Sequence, residues 1–368
     1  MSLKERIVRR IAAEGPISVA DYMALCLADP KDGYYTRDEP GADRFGGDQF
    51  GKWGDFITAP EVSQMFGELL GLWCVDAWTR LLGKAAPLNL IELGPGRGTL
   101  MADALRAARA SPELLKAARI HLVEIGPSLK RKQRTALAGL DVVWRDGFDA
   151  VPDGPFLLLA NEFFDALPIR QFVATPKGFA ERRIGLDDAG TGLRFGLTQG
   201  ADPWTKFLPP ALAQAPMGSV VEMSPASLAL IQSIAQRIVR RGGAALIVDY
   251  GPAASEPGDS LQAVRRHEKA DVLDDPGRAD ITAHVDFQSL AKAAEAEGAE
   301  ALGPVAQGAF LERLGIAERA NRLMAKADSR QRQDIGRALQ RLIAAEEMGT
   351  LFKALALVPR GMGTPAGF

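Results

Sequence analysis

A chain of 368 residues, 47% hydrophobic and 24% charged, is long enough for one large domain or two ordinary ones and has the balance of a globular protein, not of a disordered or fibrous one. Its formal net charge of −2 gives no global attraction to a polyanion, so a nucleic-acid partner is not expected. Cys26 and Cys74 stand far apart and His121, His267 and His284 are scattered, which argues against a disulfide framework and against a bound metal.

The basic N-terminus MSLKERIVRRIAAEGP carries Ile7, Val8 and Ile11 at helical spacing. That spacing predicts an amphipathic helix over 2–14 and not a targeting peptide. No apolar run approaches the roughly 20 residues of a membrane helix, so no membrane insertion and a cytoplasmic, bacterial location are expected. A second helix is predicted over 18–28, after Gly15-Pro16, with Ser18 as its cap. Residues 29–58 are rich in Gly, Asp and aromatics without periodicity, which reads as a long functional loop. Its Tyr34, Tyr35, Phe45, Phe50, Trp53 and Phe56 argue against disorder. An apolar helix follows over 60–82.

The pattern then changes to strand–helix alternation. LNLIEL (88–93), RIHLVEI (119–125), LDVVW (140–144) and GPFLLLAN (154–161) are continuous Leu/Ile/Val runs, as in parallel strands buried on both faces. The segments across 168–198 look antiparallel, with turns at Pro176-Lys177-Gly178 and Asp188-Ala189-Gly190. A helix over 225–241 leads into GGAALIVDYG, a fifth buried strand. Residues 252–285 form a polar, Gly/Pro-punctuated insertion, and the rest reads as mostly helical: 286–297, then several helices from about 307 to 354. The expected fold is α/β and Rossmann-like, with a doubly wound, mostly parallel sheet. Its parts are an N-terminal helical cap with the long substrate-side loop (1–84), a cofactor-binding core (85–251) and a lid insertion with added C-terminal helices (252–368).

Strand 88–93 runs into Glu92-Leu93-Gly94-Pro95-Gly96-Arg97-Gly98. Alternate glycines allow a tight turn with close approach of backbone to a ligand, and the following helix supplies free N–H groups. A dinucleotide loop would carry Gly or Ala at Thr99, and the phosphate-loop Gly-Lys-Ser/Thr ending is missing too. The acid at Glu92 would repel a pyrophosphate but attract the sulfonium and ammonium of S-adenosylmethionine. A bare strand–helix turn is the alternative reading. Glu124, followed by Ile125, ends the second strand where a ribose diol would be bridged, or else caps the next helix. Asp146-Gly147 ends the third, where the acid can accept from an adenine amino group or serve only a turn. Three acids at consecutive strand tips mark the ligand edge of an open sheet.

The fourth strand ends in Asn161-Glu162-Phe163-Phe164-Asp165-Ala166-Leu167-Pro168, at the reactive end of a bound methyl donor. Two carboxylates separated by two phenylalanines suit a guanidinium, a planar cation with five donors that aromatics can border. Glu162 and Asp165 are therefore the candidate catalytic pair, and Asn161 joins Glu92, Gly94, Gly96, Gly98, Glu124, Ile125, Asp146 and Gly147 as a cofactor-binding candidate. A helix start with its cap and two core phenylalanines is the alternative. Glu222, Asp249, Tyr250 and His284 are weaker candidates; a helix cap at Thr282 or Asp286 explains the His284 segment better than a general base does.

The segments EGPISVADYM, GYYT, GDFITAPEVSQMFGELLG, IELGPGRGTLM, NEFFDALPIRQF, IVDYG and DITAHVDF occur in that order. Together they resemble the MidA family across nearly the whole chain, TAPEVSQMFGE and NEFFDALP most specifically. The resemblance implies a class I S-adenosylmethionine methyltransferase fold. It further implies symmetric dimethylation of an arginine in the 49-kDa-type quinone-module subunit of respiratory complex I during assembly. A mitochondrial member would sit in the matrix. Competing readings are a methyltransferase of a small molecule or another side chain, and a non-catalytic assembly chaperone. Oligomeric state is not legible.

Overall fold

A computed structural model describes residues 1–37 and 57–368. The chain opens with α1 (Leu3–Glu14), β1 (Ile17–Ser18) and α2 (Val19–Ala28). Ser2 with Glu5, and Ser18 with Asp21, form reciprocal capping boxes, so both helices begin within a residue of the predicted positions. Of the expected 29–58 loop, residues 38–56 lie outside the described residues, and with them Phe45, Phe50, Trp53 and Phe56. The expected 60–82 helix is broken into α3 (Ala59–Val62) and α4 (Gln64–Arg80). Between them Ser63 is extended, and its hydroxyl accepts the Met65 N–H at 3.2 Å, so it starts a new helix.

The alternating region comprises β2 (Leu88–Leu93), α5 (Thr99–Ala108), α6 (Pro112–Ala117), β3 (Ala118–Val123), α7 (Pro127–Ala136), β4 (Val142–Arg145) and β5 (Phe156–Asn161). Next come β6 (Arg170–Thr175), β7 (Gly178–Leu186), β8 (Leu193–Leu197) and β9 (Val220–Met223). After α8 (Pro225–Arg241) and β10 (Gly243–Tyr250) follow β11 (Gln262–Arg265), β12 (Glu268–Ala270) and β13 (Asp280–Thr282). The chain closes with α9 (Phe287–Ala296), β14 (Ala299–Ala306), α10 (Gln307–Arg313), α11 (Ile316–Met324), α12 (Ser329–Ile343), α13 (Met348–Leu351) and β15 (Phe352–Pro359).

The central sheet has seven strands in the order β14-β15-β10-β5-β2-β3-β4. β4, β3, β2, β5 and β10 are mutually parallel, whereas β15 runs antiparallel to both β10 and β14. The order reverses direction beside β2, which leaves a crevice at the carboxyl edge between β2 and β5. Side-chain alternation loads both faces. Leu88, Leu90, Leu157, Leu159, Leu246 and Val248 point to the α4–α5 layer, and Ile91, Leu93, Leu158, Ala160, Ala245 and Ile247 to the α8–α9 layer.

One expectation needs correction. The sheet does not end at residue 251: β14 and β15, from the region expected to be mostly helical, complete it. β15 is Ala/Leu-rich, a composition favouring helix in isolation, but it is buried between two strands, and tertiary pairing overrides propensity. β14 carries Gly303-Pro304 at a bulge on an edge, where a missing ladder donor is tolerated. The 252–285 insertion, expected as a polar lid, contains regular structure and borders the cavity through Gln262, Val264, Asp280 and Thr282. It forms an antiparallel sheet of order β12-β11-β13 whose Ala263 and Ile281 pack with Ile7, Tyr22 and Met23 of the N-terminal helices. The antiparallel segments expected over 168–198 are present as β6, β7 and β8, joined by β1 and β9 into a second five-stranded sheet.

α4 lies on α5 so closely that only glycine fits at one position. A Cβ at Gly71 would stand 2.4 Å from the Ala104 carbonyl oxygen, a backbone atom that cannot step aside. Gly71→Ala is therefore expected to cost about 1–3 kcal/mol of stability, measured by urea unfolding. A neutral result would mean that the two helices slide apart freely.

Candidate active site

Because the five central strands are parallel, the tips of β2, β3, β4, β5 and β10 meet at one edge. There they line a cavity of about 590 Å³. All the expected site residues border it except Gly98. Gly98 stands behind it as the left-handed start of α5, φ +86°, with a Cβ position 3.4 Å from Gln133 Cα.

At the β2 tip, Gly94 and Gly96 adopt φ +59° and +51°. A Cβ at Gly94 would come 2.7 Å from the Phe163 ring, so the glycine loop and the β5 tip touch here. Glu92 is buried, and its Oε2 has no hydrogen-bond partner. Glu124 is buried beyond the end of β3. Its Oε1 accepts the Gly126 N–H at 2.7 Å and its Oε2 the Gln133 amide at 3.0 Å. Gln133 was missed by sequence reasoning, since it sits in the basic helix α7 with no motif around it. Yet it is fully buried, donates to the Gly96 carbonyl at 2.8 Å and accepts the Trp144 indole N–H at 2.8 Å. It thereby fixes the glycine loop to Glu124.

Asp146 lies at the outer edge of the site. It borders the cavity at the mouth, but its carboxylate is largely exposed and paired with Lys130 at 2.8 Å, which holds its pKa below the usual carboxylate value. With Gly147 and the half-exposed Ile125, it forms an open rim where a base could lie.

At the β5 tip, Asn161 is buried with Oδ1 unpartnered. Glu162 has a left-handed backbone, φ +48°, uncommon for a residue with a side chain and frequent at functional sites. Its Oε1 accepts the Ala59 N–H at 2.9 Å and the Asn161 amide at 3.1 Å. The TAPEV segment thus docks on the expected catalytic acid. It reaches the glycine loop as well: Glu61 accepts from the Thr99 hydroxyl at 2.5 Å and lies 4.0 Å from Arg97. Asp165 is buried with Oδ1 unpartnered. Beyond it the cavity continues between Tyr35, Tyr250, Asp280 and Thr282. Tyr35 donates to Asp280 at 2.8 Å and Tyr250 to Thr282 at 2.6 Å. The Ala283 N–H donates to the Asp165 carbonyl at 3.0 Å, tying β13 to this tip.

Of the weaker candidates, Tyr250 borders the cavity, whereas Glu222 and His284 do not. Glu222 is a staple, accepting from the Gln171 amide at 2.7 Å and from Ser260. Asp286 caps α9, and His284 lies outside the cavity with its ring against Tyr250. Among the described residues no group of side chains fits a metal ion, and no helix is long and apolar enough to cross a membrane.

Burial raises the cavity acids. Glu92 stands at about 8, with the Glu124 charge adding to burial. Glu124 is pushed up to about 7 against the Gly126 N–H and the Gln133 amide. Glu162 is at about 8 despite the Ala59 N–H, with Asp165 adding to burial, and Asp165 is at about 6. The cavity thus holds protons that the unfolded chain, with glutamates near 4.5, has lost. Native stability contributed by these groups therefore falls as pH rises from about 4.5 and levels off above about 8. A bound cation lowers the same values. The rise in melting temperature on adding S-adenosylmethionine should then grow between about pH 6 and pH 8.5. A rise independent of pH would contradict this assignment.

The unpartnered buried atoms of the cavity, Glu92 Oε2, Asn161 Oδ1 and Asp165 Oδ1, are all acceptors. Such a site suits a ligand rich in donors and positive charge and opposes a pyrophosphate. S-adenosylmethionine fits: Glu92 and Asn161 would face its amino-acid end, the glycine loop its backbone-hugging centre and Glu124 its ribose.

A profile of the S-adenosyl-L-methionine-dependent methyltransferase family matches residues 69–305. The mitochondrial protein arginine methyltransferase NDUFAF7 of Mus musculus is 38% identical over 96% of this chain and 83% of its own length. The Drosophila melanogaster homologue is 34% identical over 97% and 85%. A COG1565 superfamily member from Burkholderia thailandensis, solved with S-adenosyl-homocysteine bound, superposes with a TM-score of 0.83 at 28% identity, covering 99% of this chain and 93% of that one. With the Rossmann-like sheet and a cavity built for a cationic cofactor, these matches show that the chain belongs to the MidA-type family of S-adenosyl-L-methionine-dependent methyltransferases.

Proposed function

We propose that this methyltransferase acts on a protein arginine, dimethylating it symmetrically, in the 49-kDa-type quinone-module subunit of complex I during assembly. It would do so in the cytoplasm of a bacterium or the matrix of a mitochondrion. The observation that carries the arginine is the acceptor end of the cavity. There the buried carboxyls of Asp165 and Asp280 and the half-buried one of Glu162 stand among the rings of Phe163, Tyr35 and Tyr250. A small apolar acceptor would leave those acids uncompensated, whereas a guanidinium supplies five donors and a charge. The names of the relatives as arginine methyltransferases agree with it.

When bound, S-adenosylmethionine supplies an electrophilic methyl carbon whose bond to sulfur breaks, the pair staying on sulfur, as a new carbon–nitrogen bond forms. Glu162 and Asp165 grip the guanidinium as a fork and draw its charge away from the nitrogen to be methylated. Asp165 Oδ1, without a partner of its own, takes the proton that this nitrogen releases, so the product stays a monocation. Glu61 and Ala59 hold the glycine loop and Glu162 in one frame, which keeps donor and acceptor in line. Incubation with radiolabelled donor and the purified 49-kDa-type subunit is expected to label an arginine. No labelled arginine with donor binding intact would sink the reading.

A further inference from the structure

The β5–β10 ladder stops at the pair Val248↔Asn161, yet the β5 tip is not left loose. One residue on, the side chain of Asp249 takes over. Its Oδ2 accepts the N–H groups of Phe163, Phe164 and Asp165 at 3.1, 2.9 and 3.3 Å, and its Oδ1 accepts the Tyr250 N–H at 2.9 Å. Asp249 is fully buried. The three amides belong to a turn outside any helix or strand, so without this carboxylate they would be buried donors with no ladder to join. The same turn carries Phe163 onto Gly94 and sets Asp165 at the cavity wall, and the Glu162 N–H is held by the Val248 carbonyl at 2.9 Å.

We propose that Asp249 is a positioning residue for methyl transfer: by gathering three successive amides on one carboxylate oxygen it sets the turn that aims Glu162 and Asp165 at the acceptor. The inference rests on the reading of this tip as the acceptor end. Burial, with the charges of Asp165 and Glu162 adding to it, raises the Asp249 carboxyl well above the usual carboxylate range, and the N–H groups of Tyr250 and Asp165 oppose that rise only in part.

The test compares wild type with Asp249→Asn and Asp249→Ala. Asparagine can still accept the three amides through its oxygen but turns an NH2 towards the Tyr250 N–H; alanine accepts nothing. With radiolabelled donor and the 49-kDa-type subunit, kcat is expected to fall about 10-fold for asparagine and about 100-fold for alanine. Acceptor KM and donor Kd by calorimetry should stay within about threefold, since the glycine loop and Glu124 lie on other strands. Hydrogen exchange of wild type should show the amides of Phe163, Phe164 and Asp165 strongly protected, and should show it even where a variant fails to fold. Fast exchange there, unchanged kcat in Asp249→Ala, or a loss confined to donor binding would each overturn the proposal. Absence of any labelled arginine in wild type would instead overturn the acceptor reading, and the exchange measurement would then decide the clamp alone.

Discussion

Glu162→Gln is expected to slow methyl transfer about 10²–10⁴-fold while leaving S-adenosylmethionine bound. Glutamine keeps the length of the side chain, tolerates the same left-handed backbone and retains an oxygen for the Ala59 and Asn161 N–H groups. The frame around α3 should therefore survive. What disappears is the negative charge that grips the guanidinium. Asp165→Asn should behave alike, and the double variant should lose far less than the product of the two, because the pair acts as one fork. Single-turnover rates with calorimetric donor affinities check this. Full turnover in Glu162→Gln would remove that residue from the chemistry and leave its pKa near 8 as a consequence of burial and the neighbouring Asp165.

The second large effect is expected at Gly94. Its φ of +59° costs a residue with a side chain about 1–2 kcal/mol, and an added carbon would meet the Phe163 ring at 2.7 Å. Displacing that ring or the loop adds about 1–3 kcal/mol. Gly94→Val should thus weaken S-adenosylmethionine binding about 100-fold or more by calorimetry. Gly98→Ala should lose less, because its Cβ position meets Gln133 only at ordinary contact distance, 3.4 Å, leaving conformational strain as the main cost. The reverse order would show that the helix start, and not the approach to the β5 tip, governs the site. A Gly94→Ala, Phe163→Ala double variant that recovers binding would identify the ring contact as the cause.

The central part of this fold is legible because parallel strands buried on both faces must be continuous apolar runs; β2 and β5 have no alternative. Legibility fails where composition and context disagree. β15, rich in Ala and Leu, is a strand only because β10 and β14 flank it, and the β11–β13 sheet is short, polar and stitched to distant helices. The site divides along the same line. Glu92, Gly94, Glu124 and Glu162 announce themselves by charge and glycine spacing at strand tips, which is local information. Gln133, Glu61 and Asp280 act through contacts that no short window of sequence contains: Gln133 with Gly96, 37 positions away, Glu61 with Thr99, 38 away, and Asp280 with Tyr35, 245 away. Asp146 stands at its strand tip as the pattern implies, and its pairing with Lys130, 16 positions away in α7, is a further contact that the motif does not announce.

The central claim is that Glu162 and its neighbours deliver a methyl group to an arginine of the 49-kDa-type complex I subunit. Mass spectrometry of that subunit, from cells carrying either the intact chain or Glu162→Gln at equal abundance, tests it most directly. Symmetric dimethylarginine at one position with the intact chain, and the unmodified residue with the variant, is the expected result. The same arginine dimethylated in both, or unmodified in both, would contradict it.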